Sequence, residues 1–298
     1  MTWIFYALWG AFVASISNFF DKYIVSHAIK DYRGVPVYGT ITAFIVGTIF
    51  WFVTGQPSLS LTDALIVIGS GALTIFAAPI YYRVMTLEDA SKVVFLFQST
   101  PVFTLILSSI FLKENISTAQ ILGFVLILSA AMAISMEKGK SMFKLSKSFW
   151  LMIICNIIWA SSIILIKFAI NATSFNVILS YESWGLALGG TILYLTSPGI
   201  RKAFNESITT LPRKLISIMF LNEIIWVCAK ALVFFSYTQG PAILVNVLGS
   251  TQVLWSTVFG LGLTMFLPKL FNENIAKETL LRKLICACLI LIGIYLVQ

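Results

Sequence analysis

Residues 61–82 of the chain read LTDALIVIGSGALTIFAAPIYY. After Asp63 this run carries no charged side chain. A helix of about 20 such residues crosses the hydrocarbon core of a bilayer, and a helix satisfies the backbone hydrogen bonds of a single segment there. The run is therefore predicted to be a transmembrane helix.

Nine further apolar runs follow the same rule. The composition agrees, because 59% of the residues are hydrophobic and only 11% are charged, whereas a soluble domain has roughly 25% charged residues. The sequence thus predicts an all-α integral membrane protein without a soluble domain. The ten predicted transmembrane helices are 3–20, 36–54, 61–82, 93–112, 119–136, 149–170, 176–196, 214–237, 242–267 and 280–297.

Charge and cysteine content exclude several function classes. The formal net charge is +8, but the basic residues form short clusters between the apolar runs. This distribution favours contact with anionic lipid headgroups over contact with nucleic acid. The four cysteines lie within apolar runs and lack zinc spacing, so neither a metal nor another cofactor is expected. With one histidine and four scattered aspartates, a metal-dependent membrane transferase is the least favoured alternative.

The two halves of the chain resemble each other at four places that occur in the same order. Because each half holds five predicted spans, an odd number, the second half enters the membrane from the opposite side. We therefore expect two inverted five-helix repeats around a central cavity, residues 1–136 and 149–298, joined by a basic linker, 137–148. The matches pair Lys22 with Lys167, Gly47-Thr48-Ile49 with Gly190-Thr191-Ile192, Gln98–Val102 with Gly249–Val253, and Glu114-Asn115-Ile116 with Glu273-Asn274-Ile275.

The basic residues also predict an orientation. Of the 20 lysines and arginines, most fall on the side that carries the 137–148 linker. The positive-inside rule places that side in the cytoplasm, so both termini are expected outside.

The pattern Ser99-Thr100-Pro101-Val102-Phe103-Thr104, followed by Leu112-Lys113-Glu114, resembles the ten-helix drug/metabolite transporter superfamily, and in particular its EamA-like branch. The resemblance covers essentially the whole chain. It departs from the family pattern at Gln252, which stands where the first repeat has Pro101, and at Arg282-Lys283, near the position of Gly123. The expected location is the cell (inner) membrane, and the resemblance implies a carrier for small organic molecules, built as a bundle with a central cavity. It also implies cytoplasmic termini, which opposes the charge count.

Three ionisable residues lie deep within predicted spans, where charge is costly. Glu182 and Lys230 fall at similar depth on antiparallel helices and are expected to face each other. They either neutralise each other or address the ammonium and carboxylate of a substrate. Glu223 lies near the middle of its span, and it either couples transport to protons or stays protonated beside Asn222 or Asn246.

A second group of side chains is expected to line a substrate pocket. Hydroxyls, amides and aromatic rings can bind substrate without the cost of a charge, although the same residues also serve helix packing. The candidates are Tyr81, Tyr82, Gln98, Ser99, Ser250, Thr251, Gln252, Tyr181, Trp184 and Trp226.

The function expected from these features is secondary transport of a small polar or amphipathic metabolite, such as an amino acid, by alternating access. A channel for small solutes is the alternative, but a duplicated single chain favours a carrier. The expected partners are a small-molecule substrate and membrane lipids, and the chain is expected to act as a monomer.

Overall fold

The computed structural model describes residues 2–111, 117–135, 146–170, 174–239, 245, 248–271 and 277–297. Within these residues the secondary structure is helical, without a β-strand. A π-helical turn, Ile24–Ala28, extends the first helix, and a 3-10 turn, Tyr32–Gly34, precedes the second. The helices are α1 (Thr2–Tyr23), α2 (Val35–Val53), α3 (Leu61–Leu87), α4 (Ala90–Phe97), α5 (Thr100–Phe111), α6 (Thr118–Ser135), α7 (Lys147–Ile170), α8 (Phe175–Thr196), α9 (Pro198–Thr210), α10 (Arg213–Gln239), α11 (Gln252–Phe266) and α12 (Lys277–Val297).

Within the described residues, six helical segments are long and apolar enough to span a membrane: Thr2–Ala28, Tyr32–Val53, Leu61–Leu87, Ala90–Phe111, Lys147–Ala169 and Arg213–Gln239. They coincide with six of the ten predicted spans. The other four overlap α6, α8, α11 and α12 and stay predictions as membrane spans. Most of the predicted linker, 137–145, lies outside the described residues, as do Asn246 and the matched segments 114–116 and 273–275.

Two spans differ from their predicted form. The first continues past residue 20 through α1 and the π-helical turn to Ala28. The fourth is divided into α4 and α5, which are separated at Gln98 and Ser99. Pro101 accounts for this division, because its ring removes one backbone donor and clashes with the carbonyl of the preceding turn.

Local sequence sets the ends of α3. The hydroxyl of Ser60 accepts a hydrogen bond from the N–H of Asp63 at 3.1 Å, which caps the N-terminus. At its other end, the ammonium of Lys22 donates to the carbonyls of Met85 and Glu88 at 3.0 and 2.7 Å. Lys22 therefore stabilises the carbonyl end of α3, where a cation is favourable.

Helix α8 packs closely against both α2 and α3, and glycines make this approach possible. A Cβ at Gly185 would overlap the carbonyl oxygen of Ile68 on α3, and one at Gly190 would overlap the side chain of Thr40 on α2. On the α2 side, a Cβ at Gly47 would lie 3.0 Å from Cβ of Ser183. Small residues at helix crossings are the usual means by which membrane helices approach each other.

The remaining helices complete one bundle. Helix α1 packs along α10, α3 along α7, and α6 along α12. Helix α9 lies against the 3-10 turn, and its Ser207 hydroxyl is 2.9 Å from the hydroxyl of Tyr38 on α2. Many large apolar side chains face outward, such as Phe44, Ile49 and Phe52, each more than half exposed. An outer surface of this kind suits lipid and not water.

Candidate functional site

A cavity of about 280 Å³ lies inside the bundle. Its lining comes from nine of the described helices, α1–α5, α7, α8, α10 and α11. Three carboxyl groups and one ammonium group belong to this lining: Asp21, Glu182, Glu223 and Lys230. A mostly apolar cavity with a few converging polar groups is the usual form of a small-molecule site.

Asp21, near the end of α1, is held in place by three neighbours and is 4% exposed. The hydroxyls of Tyr81 and Tyr82 donate to its carboxylate at 2.8 and 3.2 Å. The side-chain amide of Asn222 donates to the same carboxylate at 2.7 Å. Since α1, α3 and α10 each supply one side of this arrangement, the position of Asp21 depends on how these helices are packed.

Glu223 lies beside this arrangement on the next residue of α10. Gly39 on α2 makes room for it, because a Cβ at position 39 would lie 2.8 Å from Oε2 of Glu223. The Glu223 carboxyl interacts electrostatically with Asp21 and with Lys230. Asp21 from the first half of the chain and Glu223 from the second half therefore lie on the same side of the cavity.

Glu182 and Lys230 form an ion pair that joins α8 to α10, so the contact expected from the sequence is present. The two side chains are 1% and 8% exposed. The Lys230 ammonium also lies 4.8 Å from the centre of the Trp226 ring, a cation–π distance. Because Lys230 is held by Glu182, its charge is already compensated in this structure.

The structure brings together only part of the predicted pocket. Of the predicted residues, the cavity lining includes Tyr81, Tyr82, Trp226, Gln252, Glu182, Lys230 and Glu223. Asn222, expected as a partner of Glu223, instead binds Asp21 and accepts a hydrogen bond from Ser17 at 2.9 Å.

The other predicted pocket residues lie outside the lining. The hydroxyl of Tyr181 donates to the Pro57 carbonyl, and the indole of Trp184 donates to Thr48, both at 3.2 Å, so these rings face α2 and the loop that follows it. At the division between α4 and α5, the Gln98 side chain donates to the Val94 carbonyl at 3.0 Å. Ser99, Ser250 and Thr251 lie at the divisions that precede α5 and α11 and not in the lining.

Asp21 is the residue that the sequence did not suggest. The predicted first span ended at residue 20, which placed Asp21 just outside the membrane. Ser17 and Asn18 of the same helix also line the cavity, as does Ser162 of α7. The sequence could have indicated Asp21 through its spacing, since Ser17 and Asn18 lie four and three residues before it and the three side chains fall on one face of a helix.

No group of three or more histidine, cysteine, aspartate or glutamate side chains suited to a metal ion occurs within the part of the chain that the structure describes. What this cavity can do chemically is bind a small solute, through charge at Asp21 and Glu223 and through aromatic contact at Tyr81, Trp159 and Trp226.

The model of the EamA-like transporter family matches residues 1–136. This part of the chain is EamA-like. The match confirms the resemblance to the drug/metabolite transporter superfamily, and the EamA-like segment includes α1–α6, from which Asp21, Tyr81 and Tyr82 enter the cavity. Together with the apolar helices, the match supports a multi-pass integral membrane protein.

The fold beyond the EamA-like segment has a counterpart among solved structures. A protein crystal structure aligns with 99% of this chain and 94% of its own, with a TM-score of 0.59 and 12% sequence identity. At this identity the likeness concerns the fold alone. A search of curated proteins finds no match to the sequence.

Proposed function

We propose that the protein is a secondary transporter that moves a small polar or amphipathic metabolite, an amino acid or a related compound, by alternating access. The observation that carries this proposal is the cavity of about 280 Å³ with three carboxyl groups and one ammonium group in its lining. Charged groups inside a membrane bundle are costly and mark solute or ion pathways. The family match at residues 1–136 supports transport as the general activity.

Alternating access needs two units that can rock against each other, and the packing of α2 and α8 supports an inverted repeat. Gly47 of α2 packs on Ser183 of α8, while Gly190 of α8 packs on Thr40 of α2. At the repeat offset of 143 residues, Gly47 corresponds to Gly190 and Thr40 corresponds to Ser183, so the two contacts are equivalent. In the predicted repeats α1 corresponds to α7 and α3 corresponds to α10. The packing of α1 on α10 is therefore equivalent to the packing of α7 on α3. These reciprocal contacts favour two five-helix units, 1–136 and 149–298, related by a two-fold axis in the membrane plane.

Proton coupling is proposed at Glu223. Its carboxyl shares the cavity with that of Asp21, and two nearby carboxyls disfavour simultaneous ionisation. A proton or a substrate ammonium can relieve this repulsion, so binding of one competes with binding of the other. The remaining assignments, a cell-membrane location and action as a monomer, are proposals from the sequence.

Counterflow in proteoliposomes tests the transport function. Vesicles are loaded with each of the 20 proteinogenic L-amino acids, and exchange against the same labelled compound is measured. We expect saturable counterflow for a subset of them. Ohmic single-channel currents, or no counterflow for any member, would contradict the proposal.

A pair of variants tests the coupling site. Glu223→Gln is expected to remove the dependence of uptake on an imposed pH gradient while exchange of substrate continues. Glu206→Gln is the matched control, since Glu206 is an exposed residue of α9 and is not part of the cavity lining. An unchanged gradient dependence in Glu223→Gln would assign coupling elsewhere.

A further inference from the structure

We propose that the cavity selects compounds with a net positive charge and binds their ammonium group between Asp21 and Glu223, with Asp21 as the fixed negative charge. This proposal rests on the transport function above and deepens it, because it names the charge class of the solute and the residues that receive it. The amino acid or related compound of that function is thereby narrowed to cationic members, such as basic amino acids and amino-acid carboxamides.

The charged groups of the described cavity lining do not balance. They are Asp21, Glu182, Glu223 and Lys230. Glu182 and Lys230 form a pair that is neutral as a unit, and this pair uses the one ammonium among the described lining residues. None of the ion pairs between described residues includes Asp21 or Glu223. Because an uncompensated charge inside a membrane bundle is costly, a positively charged solute would supply what the lining lacks.

The hydrogen bonds of Asp21 fix its carboxylate without neutralising it. One oxygen accepts from Tyr82 and Asn222, and the other accepts from Tyr81. All three donors are uncharged, and the ammonium of the next residue, Lys22, binds the carbonyl end of α3 instead. A carboxylate has about four lone-pair sites, so three donors leave one position for a ligand.

Glu223 supplies a second acceptor on the same side of the cavity. It is 9% exposed and belongs to the lining. The nearby hydroxyl of Tyr82 has a single proton, which it donates to Asp21. An ammonium group carries three donors, so it can bind both carboxyl groups at once.

The two halves of the chain supply unequal walls to the cavity. Six lining residues occupy equivalent positions of the predicted repeats, at an offset of 145 residues: Ser17, Asn18 and Asp21 on α1, and Ser162, Ile163 and Ile166 on α7. The polar amide and carboxylate of α1 are thus replaced by two isoleucines on α7. A solute with an ammonium group at one end and an apolar body at the other matches this inequality.

Aromatic rings adjoin the acidic side of the cavity. Tyr81, which donates to Asp21 at 2.8 Å, has its ring 5.7 Å from that of Trp159. The ring of Trp159 in turn lies 4.6 Å from that of Phe97. Ring faces attract cations and also contact apolar groups, so they favour both parts of an apolar amine.

A free carboxylate on the solute finds no cationic partner in the described lining, because Lys230 is held by Glu182. A neutral amino acid would therefore bring its own unpaired carboxylate into the cavity. An amino-acid carboxamide keeps the ammonium group and the side chain but lacks this charge. A basic amino acid offsets the charge with a second cation, so both classes are expected to bind more tightly than a neutral amino acid.

Matched ligand pairs test the charge preference on the unmodified protein. Leucine, methionine, phenylalanine, tyrosine and tryptophan are each compared with the corresponding carboxamide, which differs in charge but little in size. Calorimetric titration of the detergent-solubilised protein measures each Kd at about pH 6.5, below the α-amino pKa of about 7.7–8.0, so that the ammonium group is charged.

We expect carboxamides to bind with Kd values roughly tenfold or more below those of the parent amino acids, as for a charged group buried without a partner. Equal Kd values, tighter binding of the amino acids, or no binding by any carboxamide overturns the proposal.

A pair of variants tests the assignment to Asp21. Asp21→Asn removes the charge at nearly constant size, and it should reduce the preference for carboxamides to about twofold or less. Asp31→Asn is the control, since it is the same substitution at a residue outside the lining, and it should keep the preference. An Asp21→Asn protein that retains the full preference overturns the assignment. The wild-type comparison needs no variant, so it remains decisive if Asp21→Asn does not fold.

The two proposals can fail separately. The counterflow panel contains lysine and arginine, and both should belong to the subset that exchanges. A carboxamide preference without counterflow of any amino acid rejects amino-acid transport and leaves the cation site in place. Counterflow of neutral amino acids by a protein without the carboxamide preference retains transport and rejects the cation site.

Discussion

The ion pair of Glu182 and Lys230 allows a quantitative test of how dry the cavity is. Three variants are needed: Lys230→Met, Glu182→Gln and the double replacement. Both side chains are less than a tenth exposed, so each single change leaves a buried charge without its partner. The double change removes both charges and leaves side chains of similar size.

The expected magnitudes follow from burial. Removing one member of a buried pair typically costs about 3–5 kcal/mol, whereas replacing both members is close to neutral. Lys230→Met should fall in that range, because Glu182 is then alone at 1% exposure. Glu182→Gln should cost less, since the Trp226 ring lies 4.8 Å from the Lys230 ammonium and a cation–π contact contributes roughly 0.5–2 kcal/mol. The double variant should lose about 1 kcal/mol or less.

Unfolding by increasing SDS in mixed micelles measures these free energies, and the four proteins form a double-mutant cycle. Lys202 and Glu206 provide a matched control, because they form an ion pair on α9 at 3.7 Å whose side chains are 77% and 61% exposed. The same cycle on that pair should give an interaction of at most about 0.5 kcal/mol. Single changes at Glu182 and Lys230 that each cost under about 1 kcal/mol and simply add would refute the reasoning, since the pair would then be screened by water in the cavity.

Three further predictions concern packing, capping and pH. Gly185→Ala should destabilise the protein by roughly 1–3 kcal/mol in the same SDS assay, because the added Cβ would overlap the backbone of α3. The control is Gly262→Ala, whose Cβ would meet open space, and it should be neutral or stabilising. Lys22→Met should cost about 1.5–3 kcal/mol by SDS unfolding, since two charge-assisted hydrogen bonds to carbonyls are lost, and a cost near zero would contradict the capping role. The bonded Arg33 guanidinium lowers the pKa of Asp31 below its ordinary value of 3.8, so Asp31 stabilises the folded state above that value and this contribution is lost as pH falls through the lowered pKa. Thermal shifts should therefore separate wild type from Asp31→Asn by a small margin near pH 7 and converge below about pH 3.8, and a margin that persists at lower pH would contradict this account.

The sequence predicted helix positions well because lipid imposes a simple rule on them. Each predicted apolar run overlaps a helix, and the facing pair Glu182 and Lys230 followed from helix rise alone. The reciprocal glycine contacts were not predictable in the same way. The motif shared by residues 47–49 and 190–192 suggested duplication, but it did not say that both glycines lie at one interface.

Asp21 illustrates why the site was harder to predict than the fold. A charge at the end of an apolar run normally marks the membrane surface, and Lys22 next to it follows that rule by reaching the carbonyl end of α3. Asp21 instead turns into the bundle, where hydroxyl and amide donors from α3 and α10 compensate its burial. Those donors lie 60 and 201 residues away in the chain, so no local pattern reveals them. Asp21 thus binds α3 inside the cavity, whereas Lys22 binds the carbonyl end of the same helix. Because both residues contact α3, a substitution at one of them should alter the position of the other.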